Sequence, residues 1–409
     1  MGNGALKDVR VLDMTRVLAG PFCGQLLGDL GADVIKVERV GVGDDGRRYG
    51  LSALKDAQGN NTLESSFYMA GNRNKRSFTI DLTQPEGQAL IRRLAADSDV
   101  LLENYKVGDL KRFGLDYDTL KVLNPRLIYC SITGYGQTGP FAARPGYDGL
   151  FQAMGGMMAV TGNPDGAPGA GPLKSGPSLV DVFTGHNAAI AVLAALHHRE
   201  RSGEGQYIDM ALLDCAVAMV SHIAQDYLLS GAAPPRLGNG GNGGGPADLL
   251  QCRDGMVYVT AGTQEHWARL CELMRRPDLY GDPRFESNLR RGQNRNQLIA
   301  LINEWSGQRS TAELLADLDR INVPAARYNE LPEVFEDAQV RHRRMKVTVP
   351  HPVSGEVSLL GSPFAHLSAT PAEAFAAPPT LGQHTDEILR ERLGLPAADI
   401  ERLHVAKVV

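Results

Sequence analysis

The chain is poor in the residue patterns that staple or clamp a fold. Its five cysteines, Cys23, Cys130, Cys215, Cys252 and Cys271, are odd in number, scattered, and never form a C-x-x-C pair. That excludes a disulfide framework and a structural zinc site, and it fits a reducing cytosol. The ten histidines contain no H-x-x-x-H pair, so no metal is expected. The formal charge is only −5, with no basic or acidic tail, which argues against a nucleic-acid or membrane-surface partner. No run of about 18 apolar residues appears, so no membrane span is expected. The opening "MGNGALKDVRV" has no leader-type apolar core, and Leu6 stands where a myristoylation motif needs Ser or Thr. A cytoplasmic protein is the expectation. There are no internal repeats and no low-complexity segments.

What is present is length and alternation. With 409 residues and 43% hydrophobic content, the chain can bury a large core in two or three domains. "VRVLDM" (Val9–Met14) reads as a strand and "GPFCGQLLGDLGA" as a helix, with Pro21 near its start and Gly31 near its end. "DVIKVE", "RSFTIDL", "DVLLEN" and "RLIYCSITGYG" read as further strands, and "PEGQALIRRLAADS" as a helix among them. Strands separated by helices predict a parallel sheet covered on both faces, an α/β domain. "NAAIAVLAALHHRERSG" (Asn187–Gly203) predicts a strong helix, followed by a short strand and another helix. The Gly- and Pro-rich stretch Ala232–Leu250 reads as a connection. A new strand begins at "MVYVTAG", and helical patterns follow to about Gln308. "KVTVPHPVSGEVSLLGSPFAHL" reads as a hairpin and "HTDEILRERLG" as a helix near the end. The predicted organisation is a large domain of residues 1–220 and 330–409. A small inserted α+β domain takes residues 221–329, with a glycine-rich loop at 238–246.

One carboxylate stands out. In "GPLKSGPSLVDVFTGHN" (Gly171–Asn187), Asp181 is alone among small and apolar residues just ahead of a helix expected to start at about Thr184. Asp near a helix start is a routine cap worth about 1 kcal/mol. The same placement also keeps a carboxylate ionised, because amide dipoles at a helix N-terminus favour the charged form. "LDMTRVLAGPFCGQLLGDLGADVIKVER" looks like a dinucleotide-binding unit, ending in an acid, Glu38. Gly20, Gly24, Gly28 and Gly31 are too widely spaced for G-x-G-x-x-G, and their four-residue spacing suits a helix pressed on a sheet. Arg39, with Lys36 nearby, suits a phosphate- or adenine-bearing ligand better than a bare ribose diol.

Six segments together resemble one family. They are the stretch just quoted, "NRNKRSFTIDL", "DVLLENYKVGDLKRFGLDYDTLKVLNPRLIYCSITGYGQTGP", "SLVDVFTG", "ALLDCAVAM" and "GQHTDEIL". In that order, over nearly the whole chain, they resemble the class III CoA-transferases, the formyl-CoA:oxalate and carnitine CoA-transferase family. The resemblance implies an acyl-CoA:carboxylate CoA-transferase with coenzyme A as co-substrate and no metal. It implies a Rossmann-like large domain, with a parallel sheet, built from both chain ends, and an interlocked homodimer. It puts the catalytic aspartate at Asp181. Val17, Ala19, Arg39, Asn104, Tyr105 and Arg112 fall on CoA-holding positions. Tyr49, Phe67 and Tyr135 fall on the acyl site, with Arg16 as a further substrate residue. Arg16, Leu18 and Thr133 replace a histidine, a glutamine and a CoA-contacting lysine of the formyl enzyme, which argues against oxalate. Arg16, Tyr49 and Arg47 suggest a polar or dicarboxylic acyl group, such as succinyl.

The chemistry agrees with the resemblance. Moving CoA between carboxylates calls for a carboxylate nucleophile, giving mixed anhydrides and an aspartyl-CoA thioester. These must be kept from water, and the run "GNGGNGGGP" (Gly238–Pro246), with Gly243, Gly244 and Gly245, resembles a glycine run that closes over the formyl enzyme's aspartate. A flexible linker is the plain alternative. Other functional readings are a 2-methylacyl-CoA racemase of the same fold, a non-catalytic CoA-binding protein, and a nicotinamide-dependent oxidoreductase. The racemases carry His–Asp where Tyr147–Asp148 stand, and tyrosine, with a pKa of about 10, is a poor base. His186 and His222 could sit near Asp181 or simply pack. Arg47 and Arg48 are open to CoA phosphates, an acid substrate or solvent.

Overall fold

The computed structural model describes residues 4–241, 244–373 and 375–409. They form two compact units. The first comprises residues up to 157, 175–225 and 339–409, and the second 158–174 and 226–338. The short segment 158–174, Gly- and Pro-rich from Gly162 to Pro172, joins the second unit.

The first unit is built on a six-stranded sheet: β1 (Arg10–Asp13), β2 (Asp33–Glu38), β3 (Lys75–Thr79), β4 (Val100–Glu103), β5 (Ile128–Thr133) and β6 (Tyr207–Ala211). The order is β6-β5-β4-β1-β2-β3 and every pairing is parallel. Neighbouring residues of each strand enter opposite cores. Val11, Val34, Val100 and Ile128 face one side, and Leu12, Ile35, Leu101 and Tyr129 the other. Continuous apolar runs are what burial on both faces requires.

The first face is covered by α1 (Ala19–Asp29) and by the long helix Leu179–Ser202. The second is covered by α2 (Pro85–Ala96) and, from the far end of the chain, by the helices Thr385–Glu391 and Ala397–Val405. Between them lie α3 (Asp148–Met154), α4 (Leu179–Ser202) and α5 (Leu212–Met219). α4 is long and apolar enough to cross a membrane by length and composition. Here it packs on α1, with Val180, Ala188, Val192 and Leu196 buried. Glycine makes the contacts close: a Cβ on Gly24 would meet Asp13 at 2.6 Å, and one on Gly185 would meet the Ala19 carbonyl at 2.7 Å. The expected glycine-mediated packing of α1 is therefore real, and Gly185 extends it to α4.

The second unit has a three-stranded antiparallel sheet of β7 (Ala247–Cys252), β8 (Gly255–Thr260) and β9 (Ala325–Arg327). Helices α6 (Gln264–Leu273), α7 (Arg295–Ser306) and α8 (Thr311–Arg320) pack around the fully buried Trp267. The expected connection up to Leu250 thus ends early. Ala247–Cys252 pairs with β8 across a tight turn, so its alternating burial outweighs the preceding glycines.

The C-terminal portion returns to the first unit with a hairpin, β10 (Lys346–His351) and β11 (Gly355–Leu360), then α9 (Thr385–Glu391) and α10 (Ala397–Val405). The chain ends therefore share one unit, but all six strands of the large sheet fall within residues 10–211. α10 went unread in the sequence. It covers the core together with the buried Val408 and Val409.

Candidate active site

A cavity of about 340 Å³ opens at the carboxyl ends of the parallel strands. Its wall takes Arg16–Ala19 after β1, Asp45 and Tyr49 after β2, Asn104–Val107 after β4, Thr133 and Gly134 after β5, and Leu212 after β6. β1 lies between β4 and β2, so the strand order reverses here, where open parallel sheets bind ligands. Tyr147 and Asp181 complete the wall.

The β1–α1 turn is braced from three sides. The buried Lys36 ammonium bonds the Thr15 carbonyl at 2.6 Å and pairs with Asp44 at 2.7 Å. Asn104 accepts from the Arg16 amide at 2.9 Å and donates to the Arg16 carbonyl at 2.7 Å. Asp44 accepts from the Val17 amide at 2.9 Å. Val17 has φ +73°, a left-handed conformation that is strained for a β-branched residue and persists only when its surroundings impose it. Lys36 is therefore no phosphate ligand: it is fully buried, and its charge is matched inside the protein.

Arg47, which the sequence leaves open to CoA phosphates, an acid substrate or solvent, is instead buried and committed to Glu38 at 2.7 Å, Glu64 at 2.9 Å and the Tyr68 hydroxyl at 2.7 Å. Burial alone would raise the Glu38 carboxyl, yet the bonds and charge of Arg47 hold it below the usual range. Arg48 is exposed.

Arg16 lies over the Tyr105 ring at 4.5 Å and pairs with Asp45 at 3.9 Å; its buried Nε has no hydrogen-bond partner among the described residues. That is an unmatched donor on a cavity-wall cation. Tyr49 lines the wall, with Phe67 behind it in an edge contact of 5.6 Å. Tyr135 stands back from the wall, packed on Phe141 and Phe151. Arg39 is exposed and paired with Asp45. Arg112 is 66% exposed and pairs with Asp109 at 3.3 Å. Val17, Ala19, Asn104, Tyr105, Arg16, Tyr49 and Asp181 are thus brought together, whereas Phe67, Tyr135, Arg39 and Arg112 stand outside the wall.

Asp181 does not precede its helix. α4 begins at Leu179, so Asp181 lies in the first turn, and the early start shifts the expected boundary at Thr184 by more than a turn. The expected dipolar stabilisation does not dominate either. Burial first, and the neighbouring Asp148 second, push the Asp181 carboxyl up to about 7. Asp148, itself buried, accepts the Val180 amide at 2.8 Å and the Asp181 amide at 3.3 Å. Its carboxylate is committed there, and Tyr147 is 63% exposed, so the pair offers no racemase-type base. His186 contacts the Val182 carbonyl of its own helix at 2.9 Å and packs on Phe22. His222 is exposed.

Gly243 lies outside the described residues. Gly244 has φ +106°, and a Cβ there would meet Asn288 at 2.3 Å, so only glycine fits. The Gly245 carbonyl accepts from the buried Arg291 at 2.6 Å. Both belong to the second unit. Among the described residues no group of three His, Cys, Asp or Glu could hold a metal.

A carboxylate of raised basicity in a cavity at the switch point of a parallel sheet is a candidate active site of an enzyme. The CoA-transferase family III model matches residues 6–385. A protein of Agrobacterium fabrum named succinate–glutarate CoA-transferase is 41% identical, with the match covering 94% of this chain and 95% of that one. A protein of Chloroflexus aurantiacus named succinyl-CoA–D-citramalate CoA-transferase is 38% identical over 99% of this chain and 98% of that one. The crystal structure of a CAIB/BAIF family protein from Brucella suis superposes with a TM-score of 0.84. It is 41% identical, covering 95% of this chain and all of that one. The chain belongs to CoA-transferase family III: it is an acyl-CoA:carboxylate CoA-transferase whose co-substrate is a CoA thioester. The cavity fits that co-substrate. Its volume suits a small acyl group and thioester, and the start of α1 offers a positive pole to phosphate.

Proposed function

We propose that this enzyme moves CoA from a dicarboxylic acyl-CoA, of which succinyl-CoA is the type, to a second dicarboxylic acid, with Asp181 as nucleophile. The observation that carries the reading is Asp181 itself: a half-buried carboxylate on the cavity wall, its carboxyl raised to about 7, with no ion pair from the described residues. Raised basicity makes it a better nucleophile than an exposed aspartate.

A carboxylate oxygen of Asp181 attacks the thioester carbonyl. The C–S bond breaks, CoA leaves as thiolate, and a mixed anhydride of Asp181 and the donor acid forms. The thiolate attacks the Asp181 carbonyl carbon, releasing the donor acid and leaving an aspartyl-CoA thioester. The acceptor carboxylate attacks that thioester, the thiolate leaves again, and a second mixed anhydride forms. Thiolate attack on the acceptor carbonyl gives the new acyl-CoA and regenerates Asp181. No proton is transferred in any step, so the site needs no general acid.

Arg16 is the proposed partner of the distal carboxylate. Its place on the cavity wall supports this, as do the glutarate and citramalate in the names of the two relatives, both dicarboxylic acids. Val17, Ala19, Asn104 and Tyr105 are the proposed CoA-side wall, and the roles of Arg39, Arg112, Phe67, Tyr135, Gly244 and Gly245 rest on the family resemblance. A homodimer is proposed on the same ground. Support for it comes from Leu150, Met154, Ile190 and Val217, large apolar side chains left about half or more exposed on the neighbouring helices α3, α4 and α5.

The test is intact-mass analysis after mixing the enzyme with succinyl-, glutaryl-, butyryl- and acetyl-CoA, beside Asp181→Ala. A hydroxylamine-labile adduct of acyl or CoA mass on the wild type alone is expected. An adduct that persists in Asp181→Ala would overturn the assignment of the nucleophile.

A further inference from the structure

We propose that Asp148 is a positioning residue for the nucleophile: it takes up the N-terminal pole of the helix that carries Asp181 and leaves that carboxylate beside a like charge. The proposal rests on Asp181 being the nucleophile.

The geometry is specific. Ser178, at the N-cap of α4, makes no side-chain cap bond. The cap comes from α3 instead. One oxygen of Asp148 receives the amides of Val180 and Asp181, at 2.8 and 3.3 Å. The other receives Nε2 of the fully buried Gln152 at 2.6 Å. The Gln152 carbonyl oxygen accepts both the amide and the hydroxyl of Ser175, at 2.9 and 3.0 Å. Asp148 and Gln152 thus grip the start of α4 and the segment leading into it, with Asp181 one residue beyond the strongest of these bonds.

The electrostatic consequence is opposite to that of an ordinary first-turn acid. A free helix N-terminus favours a carboxylate anion. Here that pole faces Asp148, so Asp181 loses part of its help and gains a negative neighbour. The cavity wall also brings Arg16, Asp45, Lys106, Arg144 and three tyrosines around Asp181, and its own helix brings His186. Of all these, burial and Asp148 are the influences that raise Asp181. A more basic carboxylate attacks a thioester faster, while one that titrates near neutrality is still ionised at the pH of use.

The experiment is the pH dependence of single-turnover adduct formation, using whichever thioester of the panel labels the wild type most strongly. Asp148→Asn keeps an oxygen for the two amides and removes the charge. Its acid limb is expected to move from near pH 7 down by about one pH unit. Its rate above pH 8 should fall severalfold, so that the two profiles cross. Gln152→Ala loosens the same grip without removing charge and should slow adduct formation equally at every pH. If Asp148→Asn fails to fold, Asp148→Ser keeps an uncharged hydroxyl oxygen as acceptor at the start of α4, and the same shift is read. An acid limb that stays near pH 7 in the charge-removed variant overturns the proposal, whatever the rate. The absence of any Asp181 adduct in the wild type at all pH values overturns the nucleophile reading, and the proposal with it, which is a separate and recognisable result.

Discussion

A carboxylate that must attack a thioester gains from being basic, and burial supplies basicity at the expense of stability. Asp181 titrates near 7 when folded, well above an unfolded aspartate. Between about pH 4 and pH 7 the folded state therefore binds more protons than the unfolded one, and stability falls as pH rises through that window. Asp181→Asn is expected to abolish turnover yet stabilise the fold at pH 8 by on the order of 2 kcal/mol, with no gain at pH 4. Denaturant melts at the two pH values check this, and a gain equal at both would contradict it. Arg16 makes the complementary prediction about specificity. Hydrogen bonds to charged groups contribute about 1.5–3 kcal/mol, so Arg16→Met should lower kcat/KM for succinyl-CoA by roughly 10- to 100-fold. For butyryl-CoA, which lacks the distal carboxylate, the loss should stay within about threefold. Equal losses would remove Arg16 from acid recognition.

At the scale of elements, the loop after β2 shows how a site is held without touching substrate. Arg47 ties Glu38 at the end of β2 to Glu64 and Tyr68, and Lys36 ties the β1–α1 turn to Asp44. Removing one partner of such a buried group leaves an uncompensated charge, so Arg47→Met should cost about 3–5 kcal/mol. The sign with pH follows from Glu38. With Arg47 present its carboxyl is held low, and that stabilisation is lost only as pH falls through the depressed value. Without Arg47, burial dominates and Glu38 binds its proton more tightly. The deficit of the variant should therefore widen from pH 5 to pH 8, and urea midpoints at both values would show it. None of this bracing was legible in the sequence. "DVIKVE" and "GRR" announce a strand and a basic pair, but pairing partners 9 to 21 residues away depend on where the chain folds back. The elements themselves were largely legible: β2 falls where "DVIKVE" stands, and the helix stop at Gly203 is real. The start of α4 was not: Ser178 occupies the N-cap, but its side chain makes no cap bond, and the cap comes from Asp148, some 30 residues earlier.

At the scale of the whole molecule, the two ends of the chain close on each other. Val408 and Val409 are buried in the core beneath β1, β2 and β3, and the Val408 carbonyl accepts the Asp81 amide at 2.8 Å. Deleting these two residues should destabilise the first unit by about 3 kcal/mol. A truncation with an unchanged melting temperature would show that the terminus adds nothing to that core. The apolar side chains exposed on α3, α4 and α5 lead to a different expectation, a hydrodynamic mass near twice 44.1 kDa at micromolar concentration. Sedimentation at the single-chain mass would overturn the proposed dimer. Sequence by itself determined the α/β class, because strand and helix periods are local properties of the chain, while the resemblance of six segments pointed to the family and made Asp181 the candidate nucleophile. Only the tertiary structure decided which cations are neutralised deep inside the fold. Lys36, Arg47 and Arg16 look alike in sequence, yet the first two meet buried carboxylates brought in by the fold, while Arg16 keeps an unmatched donor at the cavity. The tertiary structure also decided the basicity of Asp181, because desolvation and a neighbouring charge depend on what the fold packs around a residue and not on what precedes it in the chain.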